Sequence, residues 1–232
     1  VNRSTYRMIA PSFTFCDLGR ISYEKALIVQ TNAFNRLITE KIRGASGENV
    51  LFFCEHEPVF TLGKHGKETN LLVSEERLNQ HGISFYHTNR GGDITYHGPG
   101  QITGYPVFDL EQFGLGLKAY IDRLEETIIR FLSLYGLKGG RVAGASGVWL
   151  DADTPKARKI CAVGVRSSRF VTMHGFALNI LTDLSYFSLI HPCGFVDKGV
   201  TSLAAECKSV PDFNVAKQRL ASLFEEMFQR EA

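Results

Sequence analysis

The sequence predicts an α+β fold, one domain in which a mixed or largely antiparallel β-sheet is flanked by helices. Three observations lead there. Short apolar stretches of β character recur along the whole chain, and only three segments, near residues 22–44, 117–135 and 215–229, keep amphipathic helical spacing. No Pro/Ser-rich linker, low-complexity tract or internal repeat divides them, and many of the connections are short turns. At 232 residues the chain is within reach of a single unit, which would bury about 70% of its unfolded surface.

The elements follow in order. FTFCDLG, from Phe13, reads as a strand. The stretch ISYEKALIVQTNAFNRLITEKIRG offers Ser22 as an N-cap, places Ala26, Ala33, Phe34, Leu37 and Ile38 near helical spacing, and stops at Gly44. NVLFFCEHEPVFTLG reads as β, and ISFYHTN alternates with Ile83, Phe85 and His87 on one face. GGDITYHGPGQITGYPVFDL predicts two short strands in a hairpin around the His97-Gly98-Pro99-Gly100 turn. A second helix over about 117–135 carries the stripe Leu117, Ile121, Leu124, Ile128 and Leu132 and ends at Gly136. SGVWL, KICAVGVR and VTMHGFALNI are strand-like, and a last helix covers about 215–229.

Composition narrows the class. Hydrophobic residues make up 44% and charged residues 22%, as in ordinary globular proteins, and no apolar run resembles a membrane span or signal peptide. A soluble, cytoplasmic protein without membrane or nucleic-acid partners is expected. Cys16, Cys54, Cys161, Cys193 and Cys207 are odd in number and irregular in spacing, which suggests neither a disulfide framework nor a zinc cluster. The seven histidines, His56, His65, His81, His87, His97, His174 and His191, show no metal spacing, so no metal is expected. From Lys138 to Arg169 seven bases face two acids. Such a stretch either steers an acidic partner or is a solvated surface.

Several residues invite chemistry. In RGGDITYHGPGQITGYP, glycines permit close backbone approach and unshielded N–H donors, while Tyr96, His97, Gln101 and Tyr105 bring polar ends. Turn geometry alone would also call for those glycines. The run fits neither GxGxxG before a helix nor GxxxxGK[ST], which argues against a dinucleotide or P-loop site. On a strand, Lys159 shares a face with Cys161, Val163 and Val165. That lysine either snorkels to water or lowers the pKa of a nearby thiol. HPCG sets Cys193 in a turn between proline and glycine, where it is either presented as a nucleophile or kept as a small apolar filler.

Taken together, RGGDITYHGPGQITGYPVFDL, KICAVGVR, HGFALNI with TDL one residue later, and PCG followed by VTSL occur in the order and approximate spacing of the lipoyl(octanoyl) transferase family, with EHEPVFTLGKHG fitting upstream. The chain resembles that family from about Phe15 to the last helix. The resemblance implies one catalytic domain over 1–232, with a core of about 15–230 sharing the fold of biotin and lipoyl protein ligases. It implies transfer of octanoyl from octanoylated acyl carrier protein to a lysine of lipoyl domains, those of 2-oxoacid dehydrogenase subunits and of the glycine cleavage H protein, with no cofactor. Cys193 would form the acyl thioester and Lys159 would lower its pKa. The pocket would be lined by Arg90, Gly91, Gly92, Asp93, Ile94, Thr95, Tyr96 and His97, by Ala162, Val163 and Gly164, and by Gly175, Phe176 and Ala177, with His56 and Tyr105 nearby. Two departures from the family pattern are Cys161, in place of a small alanine-like residue, and Leu181, in place of a polar one. Cys161 is expected to be a pocket wall rather than a second thiol.

Thioester exchange suits cysteine, because a serine would hold the acyl group as a more stable ester. Alternatives are an ATP-dependent lipoate or biotin ligase, a thioesterase, or a non-catalytic module that binds acyl groups or their carrier.

Overall fold

The computed structural model describes residues 12–191, 199–209 and 211–228. Its main sheet orders the strands β1 (Phe13–Ile21), β2 (Asn49–His56), β6 (Gln101–Val107), β10 (Val171–Asn179), β9 (Arg158–Ser168), β8 (Ala145–Leu150) and β7 (Gly139–Val142). The short β11 (Gly199–Val200) pairs with β9. β1 runs parallel to β2 and β11 parallel to β9, while the other pairings are antiparallel. A second, three-stranded sheet orders β4 (Ser84–His87), β3 (Val59–Leu62) and β5 (Ile94–His97).

Alternation divides the main sheet between two jobs. Residues directly opposite on neighbouring strands share a face. Phe53, Ile102, Phe176, Leu178 and Cys161 therefore look one way, into a core closed by α3 (Leu117–Ser133) and α5 (Phe213–Phe228) through Leu124, Ile128, Leu220 and Phe224. Phe224 stacks on Phe176 at 5.4 Å and meets Phe53 edge-on at 5.8 Å. Thr103, Tyr105, Ala177 and Ala162 look the other way. One end of that second face is covered by α1 (Tyr23–Ile42), whose Ala26, Phe34 and Leu37 pack on Phe52, Val107 and Met173. The other end is roofed by the small sheet, which has its own apolar cluster around Phe60, Ile94 and Tyr96.

Ser22 does cap α1, its hydroxyl accepting from Lys25 N; such a cap contributes about 1 kcal/mol. The small helices α2 (Glu75–Gln80) and α4 (Leu203–Glu206), and the 3-10 turns Glu68–Asn70 and Leu184–Leu189, went unread in the sequence. Each is too short to show a period.

Three sequence expectations need correction. The strands around His97-Gly98-Pro99-Gly100 are not a hairpin: β5 pairs with β3, and β6 inserts between β2 and β10. The turn instead carries the chain from one sheet to the other. It is held by the Glu55 carboxylate, which accepts from Gly100 N at 3.0 Å, and by Gly100 O, which accepts from Leu181 N at 2.8 Å. The backbone of Leu181 would lie 2.6 Å from a Cβ at position 100, where φ is +77°, so the position needs glycine on both counts. Within ISFYHTN, Ile83 is buried but His87 is exposed beside Glu68, because only four residues pair in an outer strand of the small sheet. The helical stripe also breaks at Leu117, which is 40% exposed while Leu124, Ile128 and Leu132 are fully buried.

Candidate active site

Lys159 and Cys161 do not share a face. Val148 faces Cys161 and its neighbour Trp149 faces Lys159, so Ile160 is an extra residue on β9, a bulge. A bulge puts two successive side chains on the same side. Ile160 and Cys161 both enter the core beneath the sheet, while Lys159, Ala162 and Gly164 turn to the other face. Cys161 is fully buried, and that burial holds its thiol well above the ordinary value. The expectation that Cys161 is a pocket wall fails for this geometric reason. Lys159 is only 9% exposed, its ammonium 4.6 Å from the centre of the Trp149 ring across the β8–β9 pair.

A cavity of about 570 Å³ takes in Lys159 and is bounded by the small sheet, the 90–95 loop and the Leu117 and Ile121 end of α3, a volume typical of small-molecule sites. Arg90, Gly91, Gly92, Asp93, Ile94, Thr95 and His97 all line it. So do Tyr105, Ala162, Val163, Gly164, Gly175, Phe176 and Ala177. Tyr96 does not join them: it packs into the small-sheet cluster, stacked on Tyr186 at 4.5 Å. His56 is fully buried behind Tyr105, 2.7 Å from its hydroxyl. Cys193 lies outside the described residues.

The loop is seated on the sheet through backbone. Gly91 N donates to Val165 O at 2.9 Å, and a Cβ on Gly164 would come within 2.7 Å of Gly91 O, so β9 and the loop touch main chain to main chain. Arg90, 8% exposed, gives Nη2 to the carbonyls of Thr61 and Asp93 at 2.7 Å each and Nη1 to Gly91 O at 3.0 Å. Its first role is to shape the loop around a fixed positive charge.

That charge and burial keep the imidazoles neutral. Burial lowers His56 to about 4. His97 falls well below its ordinary value through burial, then His56 and Arg90. His174 falls to about 3 through burial, then Arg90 and Arg166. Burial also pushes Tyr23 up to about 12 and holds Tyr105 protonated.

Sequence reading missed several residues of the cavity. Tyr23 opens α1 next to its cap, and nothing in the helical spacing marks it as a site residue; its ring stacks on His97 at 6.1 Å. His174 sits in β10 at φ +58°, donating its backbone N–H to Gln30 Oε1 and bonding Asn89 through Nε2. Asn179 lies opposite Gln101 and accepts from its side chain at 2.9 Å. Leu117, read as core, stands at the cavity, and Ile121 lines it while also packing against the core.

The basic stretch is weaker than its sequence suggests. Arg141 pairs with Glu125 and Glu126, and Arg158 with Glu206 and Asp151. Arg166 lies over the Phe34 ring at 5.2 Å. Lys138, Lys156 and Arg169 remain exposed.

Among the described residues no helix is long and apolar enough to cross a membrane. The family model for the lipoyl protein ligase A/B catalytic domain matches residues 28–225. An octanoyltransferase of Parabacteroides distasonis is 68% identical over 218 residues, 94% of this chain and 99% of the relative. One of Bacteroides fragilis is 56% identical over 204 residues, 88% of this chain and 92% of the relative. The fold is that of a bipartite lipoate protein ligase from Thermoplasma acidophilum (TM-score 0.69, 15% identity, 95% of this chain and 86% of that one). It is also that of a lipoate-protein ligase A bound with ATP (TM-score 0.65, 15% identity, 97% and 89%). With the bulge, loop and cavity arranged on that fold and identities this high over nearly full lengths, the chain belongs to the octanoyltransferase family, acyltransferases built on the lipoyl protein ligase A/B catalytic domain.

Proposed function

We propose that this chain transfers an octanoyl group from octanoyl-acyl carrier protein to a lysine of a lipoyl domain, through a thioester on Cys193. The observation that carries this reading is the position of Lys159. The bulge aims it at the cavity, and β11 lies alongside, with Val200 paired to Lys159 and also lining the cavity. Val200 is seven residues beyond Cys193. On the other side, His191 N donates to Asn70 O, two residues before Cys193. One flank of the cysteine segment is thus paired to a strand that borders the cavity, and the other is fastened to Asn70, whose side chain donates to the cavity residue Asp93.

In this reading the Lys159 ammonium favours the Cys193 thiolate. The thiolate attacks the donor thioester carbon and the carrier thiol leaves. The lipoyl-domain lysine then attacks the acyl-enzyme, and the thioester becomes an amide, a downhill exchange. The backbone around Gly92 and Gly164 is where N–H donors for a developing oxyanion would come from, since the Gly91 N–H is given to Val165 O, with Val163 and Ile121 among the apolar walls for the chain. Exposed Lys138, Lys156 and Arg169 suit an acidic carrier. Acceptors would be lipoyl domains of 2-oxoacid dehydrogenase subunits and the glycine cleavage H protein, in the cytoplasm.

The test is the pH profile of Cys193 alkylation by iodoacetamide, read by intact mass, in the wild type and Lys159→Met. Wild type should remain reactive below the free-thiol value of about 8.5, and Lys159→Met should need higher pH. Superimposable profiles would remove Lys159 from the mechanism. Transfer without any octanoyl adduct on Cys193 would remove the covalent route.

A further inference from the structure

The hydrogen bonds behind Tyr105 have a direction. The Ile21 carbonyl can only accept, so His56 Nδ1, 2.9 Å away, carries the ring proton. The ring is neutral, so Nε2 presents a lone pair. Tyr105 Oη lies 2.7 Å from Nε2, with Cys54 Sγ further off at 3.4 Å. The Tyr105 proton therefore points at His56, and the oxygen offers the cavity acceptor capacity alone.

His97 is fixed in the same sense. Gln101 Nε2 donates to the Tyr96 carbonyl at 3.1 Å, which leaves Oε1 to accept from His97 Nδ1 at 2.9 Å. His97 Nε2 is then the acceptor, 3.3 Å from the Thr61 hydroxyl. The Arg90 and Lys159 cations on the cavity wall are donors only.

An acyl thioester has a carbonyl oxygen that seeks donors and no N–H of its own. An oxygen restricted to accepting has no use for it; the group it suits is an N–H. Resting on the acyl-transfer reading above, we propose that Tyr105 Oη is a positioning acceptor for the amine of the acceptor lysine, and that His56 acts through Tyr105 by claiming its hydroxyl proton. One amine N–H bonds Oη, which turns the nitrogen lone pair toward the acyl carbon. The C–N bond forms, the C–S bond breaks with its electron pair leaving on sulfur, and the surplus nitrogen proton passes to that thiolate. Tyr105 and His56 neither gain nor lose a proton.

The experiment separates the half-reactions in the full-length protein. Octanoyl-acyl carrier protein loads the enzyme, intact mass follows the adduct, and a lipoyl domain is then mixed in at saturation. Tyr105→Phe should load within about twofold of wild type and transfer about tenfold more slowly, the loss of one hydrogen bond. His56→Phe should show the same split with Tyr105 present. His56→Gln, whose amide oxygen can accept the Tyr105 proton, should restore most of the transfer rate. Unchanged transfer in Tyr105→Phe, a loading defect as large as the transfer defect, or no rescue by His56→Gln overturns the proposal alone. A wild-type protein that forms no octanoyl adduct overturns the acyl-transfer reading and the proposal with it.

Discussion

Replacing Gly164 with alanine probes the seat of the 90–95 loop. The new Cβ would sit 2.7 Å from Gly91 O and 3.3 Å from both Cδ and Nη1 of Arg90. Gly91 O is main chain, and Gly91 N is bonded to Val165 O one residue away, so the loop cannot yield without losing that bond. Overpacking costs about 1–3 kcal/mol and a lost backbone hydrogen bond about 1 kcal/mol more. The sum is about 2–4 kcal/mol, which at about 2–4 °C per kcal/mol for a chain of this size lowers Tm by about 4–16 °C. Because the loop lines the cavity, octanoyl transfer should fall with it. Gly82→Ala is the control: φ is +68° but nothing lies within 4 Å, so it should cost about 1–2 kcal/mol and spare activity. Melting curves and transfer rates of the purified variants decide the matter. A Gly164→Ala protein with wild-type activity and a smaller Tm loss than Gly82→Ala would show that the loop does not rest on β9.

Two further outcomes follow from the backbone and the buried imidazoles. His174, with a folded pKa near 3 against an unfolded value near 6.5, binds its proton only in the unfolded chain through most of that range; stability should therefore fall as pH drops below about 6.5, by up to about 1.4 kcal/mol per pH unit for this one group. Urea unfolding of His174→Asn, which tolerates the left-handed backbone, should show a slope between pH 5.5 and 4.5 shallower by that amount, and an unchanged slope would mean that His174 does not stay neutral. The β9–β10 hairpin turns through Arg169 and Phe170 at φ +52° and +62°, a pair of left-handed residues that favours Asn-Gly. The double replacement Arg169→Asn, Phe170→Gly should raise Tm by several degrees, about 1–2 kcal/mol, and a lower Tm would mean that the Phe170 ring, with Lys41 5.9 Å from its centre, contributes more than the turn strain costs.

The local pattern of residues determined much of this protein. Ser22 and Gly44 bracket the first helix, the alternation of KICAVGVR and VTMHGFALNI makes strands, and most of the 90–97 run lines the cavity. These are matters of period, capping and turn chemistry, which act over a few residues and leave a mark at that range. Tertiary structure decided the rest. Whether the strands flanking His97-Gly98-Pro99-Gly100 pair with each other depended on β3 and β10 competing for their edges. The side to which Lys159 turns depended on a bulge in its pairing with β8. The charge left in the basic stretch depended on Glu125, Glu126 and Glu206 arriving from two other helices. Tyr23, Gln101, His174 and Asn179 meet at one cavity from positions up to 156 residues apart. Long-range pairings of this kind are chosen by the free energy of the whole packed chain, through burial and hydrogen-bond completion, so no short window of sequence contains them.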